Sequence, residues 1–297
     1  MSDSKNRRVL VTGAAGMLGG EVLRSAPRDV RALGTDLRAA DGVELPGRDL
    51  SDAARARELL AEHGRFDCVI HSAAWTAVDD AEQHEDRAQL ANVTASRVLA
   101  EACREHGAKL LAIGTDFVFD GKADQPYPED AGPNPLSAYG RTKLAAERAV
   151  FAAHPEGATV VRTQWLYGPG GKHFPRTIAA RARETGKLRV VDDQVGSPTS
   201  TIQLAPALWD VALRGERGLY HASCEGSCSW FDFARAILHA LGLEQVELTP
   251  CSTEQYPTPA RRPAYSVFDC SRLTTLRGRP LSGWRRALDE YLAREPI

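Results

Sequence analysis

Along the first half of the chain, short apolar runs alternate with longer stretches in which apolar positions recur every three or four residues. The runs are RVLVTG (8–13), VRALGTD (30–36), FDCVIHSAA (66–74), KLLAIGTDFVF (109–119) and TVVRTQWLYG (159–168). They are near-continuous in apolar residues, the pattern of strands buried on both faces. Between them, GGEVLRSA (19–26), SDAARARELLAEHG (51–64), QLANVTASRVLAEACREHG (89–107) and AYGRTKLAAERAVFAA (138–153) carry a helical period. Strands alternating with amphipathic helices predict βαβ units and a parallel sheet covered by helices on both sides. Past Gly168 the proline and glycine punctuation becomes denser. That half predicts strands at 188–194, 218–223 and 246–250 and helices at 199–214 and 229–242. The expectation is an α/β chain in which residues 1–168 form a doubly wound sheet that also receives about 199–223. Residues 169–297 mainly build a smaller C-terminal lobe over the sheet edge, with soft boundaries.

VLVTGAAGMLGGEVL sets Gly13, Gly16 and Gly19 at the turn from the first strand into the first helix, around Met17 and Leu18. Gly13 permits the tight turn, Gly16 a close backbone approach to a pyrophosphate, and Gly19 close packing of helix on strand. The free N–H groups of the helix start complete an anion site. In this strand–turn–helix context the motif predicts a Rossmann-type, NAD(P)-binding sheet. Asp36 closes the second strand, where a carboxylate would bind the adenosine ribose hydroxyls and repel a 2′-phosphate. Arg38 would accept that phosphate, so both NADH and NADPH stay open, with Asp36 leaning to NADH. Asp49 and Leu50, in RDLSD after the third strand, are candidates for the adenine pocket; Asp49 as a helix-cap neighbour of Ser51 is an equal alternative.

Composition narrows the partners. Hydrophobic content of 43%, charged content of 26% and a net charge of −2 fit a globular protein with no basic surface for nucleic acid or an anionic membrane. No apolar run approaches the ~20 residues of a membrane span, and the polar start MSDSKNRRVLVTG reads as no export signal. The six scattered cysteines then read as reduced thiols of a cytoplasmic protein. Cys224 and Cys228 lack a second close pair, so no metal is expected.

Tyr139 and Lys143, in LSAYGRTKLAAE, stand four residues apart and share one face of a helix. Ligands in such sheets bind outside the carboxyl ends of the strands, where HSAAWTAVDDAE, GTDFVFDG and RTQWLYGPGG converge. With Thr115 they form the hydroxyl–phenol–ammonium set of short-chain reductases. Here the chain resembles the dTDP-4-dehydrorhamnose reductase family of extended short-chain dehydrogenases. The resemblance runs along essentially the whole chain, through TGAAGMLG, AAWTAVDDAE, TDFVFDG, PNPLSAYGRTKLAAE, RTQWLYGPGG, VVDDQVGSPT, CSWFDFA and YPTPARRPAYS. It implies reduction by NAD(P)H of the C4 ketone of a nucleotide-linked 4-keto-6-deoxysugar, dTDP-4-dehydro-L-rhamnose to dTDP-L-rhamnose. It implies Tyr139, Lys143 and Thr115 as the catalytic set, Ala73 and Ala74 as cofactor contacts, and Thr76, Val78, Asp116 and Trp165 as substrate contacts. A core position for Trp165 is the competing reading. Arg261 and Arg262, in the proline-bracketed PARRPAYS, offer guanidinium forks to the diphosphate; a surface ion pair is the alternative. Asp192 and Asp193 are expected to anchor a lid segment, and Asn92 to bond backbone near the site.

The chain departs from the family at Gly114, where serine is common, at Phe117 and Trp75, where tyrosine is usual, and at His71, where asparagine is usual. Two other readings stay on the table. A dehydratase or epimerase of the same fold would need an acid–base pair beside the ring; related dehydratases carry Asp-Glu after the threonine, whereas here the pair is Asp116-Phe117. A non-catalytic subunit resembling the methionine adenosyltransferase beta subunit would bind a partner enzyme. The expected partner is a nucleotide sugar, with a homodimer allowed and neither nucleic acid nor membrane involved.

Overall fold

The computed structural model describes residues 7–297. It opens with β1 (Arg7–Thr12), α1 (Met17–Arg24), β2 (Val30–Asp36), the short β3 (Leu45–Pro46), α2 (Ala53–Glu62) and β4 (Cys68–His71). Helix α3 (Glu85–Gln89) runs through a π-helical turn at Leu90–Thr94 into α4 (Ala95–His106), followed by β5 (Lys109–Thr115), α5 (Ala138–Ala153) and β6 (Ala158–Thr163). The second half holds β7 (Leu166–Tyr167), α6 (Phe174–Thr185), β8 (Lys187–Val191), β9 (Val195–Gly196), β10 (Thr199–Ser200), α7 (Thr201–Arg214) and β11 (Gly218–His221). It ends with β12 (Cys228–Ser229), α8 (Trp230–Ala240), β13 (Glu247–Cys251), α9 (Ser271–Arg277) and α10 (Trp284–Arg294).

Seven strands form one parallel sheet in the order β11-β6-β5-β4-β1-β2-β3. The order reverses between β1 and β4, which opens a crevice at their carboxyl ends. Val9, Leu10 and Val11 of β1 and Val69 and Ile70 of β4 are fully buried, as continuous apolar runs require when helices cover both faces. The two covers are distinct. On one side α2 and α4 pack Leu59, Leu60, Leu99 and Cys103 on the sheet. On the other, α1 and α7 pack Val22, Leu204 and Leu208, and that core continues into α8 and α10. Helix ends follow local chemistry: Asp52, Ser137, Ser200 and Ser229 cap α2, α5, α7 and α8 through side-chain oxygens. The chain from β7 onward returns a strand to the main sheet through β11 and pairs β8 with β13 beside it. Among the described residues no helix is long and apolar enough to cross a membrane.

Candidate active site

A cleft of about 860 Å³ lies over the carboxyl ends of β1, β2, β4, β5 and β6. At its first end the turn after β1 is shaped by Gly13, which sits at φ +67° with the segment after β4 so close that a Cβ would come within 2.6 Å of the Ala73 nitrogen. A Cβ on Gly19 would fall 2.2 Å from the Gly13 carbonyl oxygen. Only glycine permits this convergence of loop, helix and neighbouring strand. Helix α1 begins at Gly16 with no side-chain cap, so its first N–H groups stay available. Asp36 accepts from the backbone of Ala15 (3.1 Å) and of Arg38 (2.9 Å), tying the end of β2 to the glycine turn. The Arg38 side chain is exposed and reaches back over the turn toward the Ala15 carbonyl (3.4 Å). Asp49 is occupied by the Ser51 hydroxyl (2.7 Å) and backbone (3.0 Å), which hold its carboxyl below the usual range.

At the other end β5 delivers Thr115 and a short turn at Asp116–Val118, and the Ser137-capped start of α5 delivers Tyr139 and Lys143. All three groups of the phenol set line the cleft and are buried. The Lys143 ammonium donates to the Ile113 carbonyl at 2.6 Å; burial pulls its pKa down to about 8, against the favourable charge of Glu147. Burial pushes the Tyr139 phenol up to about 12, the Thr115 hydroxyl opposing and the Asp116 carboxylate adding. Thr115 donates to Asp116 Oδ1 (3.2 Å) and accepts from the Phe117 N–H (3.3 Å). The other Asp116 oxygen, Oδ2, is buried without a hydrogen-bond partner, and burial raises this carboxyl to about 6. Phe117 meets Tyr139 edge to face, ring centroids 5.4 Å apart, so an apolar ring borders the phenol.

His71 is buried between the Thr12 hydroxyl (2.7 Å) and the Ser96 hydroxyl (3.2 Å). Burial, with Lys143 nearby, lowers it to about 3, so it is neutral at physiological pH. Asn92, inside the π-helical turn, clamps the Trp75 backbone from both sides (2.8 and 3.3 Å) and donates to Thr142 (3.0 Å). Asp192 accepts from Ser229 (2.5 Å) and Asp193 from Thr253 (2.7 to 2.9 Å), so both anchor loops.

Gly13, Gly16, Met17, Leu18, Gly19, Asp36, Arg38, Asp49, Leu50, Ala73 and Ala74 line the same cleft as Thr76, Val78, Thr115, Asp116, Tyr139, Lys143 and Trp165. Arg261 and Arg262 do not. Arg262 is spent on a fork with Asp79 (2.9 and 2.8 Å), on Thr258 (2.6 Å) and on the Ala260 carbonyl (2.7 Å), while Arg261 points to solvent. In this structure the acidic VDD loop after β4 holds Arg262. The cleft has other cations, Lys172 and Arg87, which make no ion pair among the described residues. Sequence reasoning missed both; Lys172 had a signal, because GPGGKHF directly follows a strand end. Gln164 was also missed. It accepts from the Ser197 backbone (2.8 Å) and Ser266 (3.3 Å) and closes the cleft floor.

The RmlD substrate binding domain family model matches residues 7–296. The chain is 43% identical over 95% of its length to the probable dTDP-4,6-dihydroxy-2-methyloxan-3-one 4-ketoreductase of Streptomyces antibioticus, covering 94% of that protein. It is 41% identical over 98% of its length to the dTDP-4-dehydrorhamnose reductase of Streptomyces griseus, covering 94% of it. Among solved structures it is similar to the Bacillus anthracis dTDP-4-dehydrorhamnose reductase in complex with NADP. That likeness has a TM-score of 0.89 and 33% identity, over 97% of this chain and 99% of the other.

Proposed function

The chain belongs to the dTDP-4-dehydrorhamnose reductase family, and from that premise we propose that it reduces the C4 ketone of a dTDP-linked 4-keto-6-deoxysugar with hydride from NAD(P)H. The substrate we assign is dTDP-4-dehydro-L-rhamnose and the product dTDP-L-rhamnose. The observation that carries the reading is the meeting, in one cleft, of a glycine turn built for pyrophosphate with a buried tyrosine–lysine pair beside Thr115. The nicotinamide cofactor would lie with its pyrophosphate at the start of α1 and its ribose near Lys143; when bound it supplies the hydride.

The chain's own residues handle the proton and the charge. Reduction turns the ketone oxygen into an alkoxide, which needs a proton and a donor already in place. Tyr139 donates that proton. Its raised pKa makes the donation unfavourable without help, and the Lys143 ammonium, one helical turn along, favours the phenolate left behind. Thr115 aims the substrate oxygen at the phenol. Of the expected 1–168 unit, in which 1–6 lie outside the described residues, 7–168 with 199–223 hold the cofactor in this reading, and the rest of 169–297 mainly closes over the sugar nucleotide. Lys172 and Arg87 bring the positive charge that the phosphates meet. Asp36 favours NADH and the exposed Arg38 admits NADPH, so both serve. The reaction is placed in the cytoplasm. The test is oxidation of NADH or NADPH by purified protein that depends on added dTDP-4-dehydro-L-rhamnose. Cofactor binding without ketosugar-dependent oxidation would return the chain to a binding role.

A further inference from the structure

We propose that Trp230 is a positioning residue for this reduction: it holds the Trp165 indole as one fixed wall of the substrate end of the cleft. The proposal rests on the reductase reading above. Trp165 follows β6 and lines the cleft, whereas Trp230, the first residue of α8, does not. Trp165 is at φ +48°, the one non-glycine position with positive φ among the described residues. A bulky aromatic residue adopts that backbone only where its surroundings over-determine it.

Three contacts do so. The Thr199 N–H donates to the Trp165 carbonyl at 3.1 Å. The two indoles lie face to face, ring centroids 3.5 Å apart and planes 6° from parallel. Gly196 packs so near that a Cβ there would come within 2.5 Å of the Trp165 ring. Full overlap is not the arrangement that free aromatic rings prefer; here it is imposed from behind. Phe174 of α6 braces Trp230 at 4.5 Å, and Phe174 in turn stacks on the buried Phe233 (5.6 Å, 18°). The brace therefore joins two helices of the chain's second half to a residue at the end of a main-sheet strand. Without Trp230 the Trp165 backbone is free to leave the left-handed region, and the indole no longer presents one surface to the sugar nucleotide. A packing role alone would lower stability and leave the two ligands equally affected. A positioning role loosens the sugar nucleotide selectively.

The test compares wild type with Trp230→Ala, Trp230→Phe and Trp165→Ala. Trp230→Ala should raise KM for dTDP-4-dehydro-L-rhamnose about three- to tenfold, the range a lost aromatic stack provides. KM for NAD(P)H should stay within about twofold on the same scale, and Trp230→Phe should recover most of the loss. An unchanged sugar-nucleotide KM in Trp230→Ala, or an equal rise in both constants, would overturn the proposal. Wild type that fails to oxidise NAD(P)H with the ketosugar overturns the reductase reading instead. Calorimetric binding of dTDP then decides the role of Trp230: weaker binding in Trp230→Ala supports it, and equal binding sinks it.

Discussion

Tyr139 and Asp116 are neighbours in the cleft, and burial keeps the proton on both. For Tyr139 it holds the proton on the phenol, and in the proposed reaction Lys143 has the task of favouring the phenolate left behind. Tyr139→Phe keeps the ring and its contact with Phe117 while removing the donor. Turnover of the ketosugar should fall roughly 10²–10⁴-fold with cofactor binding retained, which steady-state rates and reduced-nicotinamide fluorescence would separate. For Asp116 burial favours the neutral acid, raising the folded-state pKa from the ordinary 3.8 to about 6. Between those values the folded protein holds more protons than the unfolded chain, so this group's contribution to stability falls as pH rises through that window. Asp116→Asn removes the penalty. It should raise Tm by a few degrees at pH ~7.5 and give no gain near pH ~4, and melts showing a constant difference at both pH values would refute that. At the far end of the cleft, Asp36→Ala should shift preference toward NADPH. Kinetics with both cofactors would check it, no change in their ratio counting against a ribose contact.

Among the elements, the turn between β1 and α1 tolerates least. Its shape depends on a left-handed Gly13 and on Ser72 and Ala73, just past β4, standing against it. Gly13→Ala meets two penalties together, a strained φ and a Cβ pressed on backbone that cannot swing aside. Backbone must shift, so cofactor affinity should fall at least tenfold, or the protein should lose several degrees of Tm, by fluorescence titration and thermal melt. Normal values for both would mean that the turn is looser than its contacts indicate. Helix α5 behaves differently. A serine cap and a spacing of four suffice to put Tyr139 and Lys143 on one face, which is why that pair is legible in the sequence. The tether from Lys143 to the Ile113 carbonyl is not legible, because a backbone acceptor carries no residue signature. The π-helical turn around Asn92 is equally silent, since its extra residue fits the same apolar spacing.

Across the whole molecule, the fork between Arg262 and Asp79 ties the loop after β4 to the chain's second half. The pair is partly exposed, so breaking it by Arg262→Ala should cost no more than about 1 kcal/mol. Combining it with Asp79→Asn should add little. Arg262 holds the Asp79 carboxyl below its ordinary pKa, so this stabilisation is present above the ordinary 3.8 and lost as pH falls through the lowered value. Denaturant melts of the single and double variants would check the coupling; a sugar-nucleotide KM raised far beyond tenfold by Arg262→Ala would mean the guanidinium reaches substrate instead. The same pair marks where sequence reading stops. Continuous apolar runs, amphipathic spacing and the glycine turn by themselves determined the parallel sheet and the end at which its ligand cleft opens. Each is a local rule, set by burial on two faces, by 3.6 residues per turn or by the φ angles that a side chain forbids. The partner of each charged or aromatic side chain was decided only in the tertiary structure. Arg262 went to Asp79, Asp116 kept one oxygen unpartnered, and Trp165 was turned left-handed against Trp230. Such pairings depend on which loops, distant in sequence, arrive within a few ångströms of one another, and there a charge or ring meets whichever neighbour displaces its water at least cost.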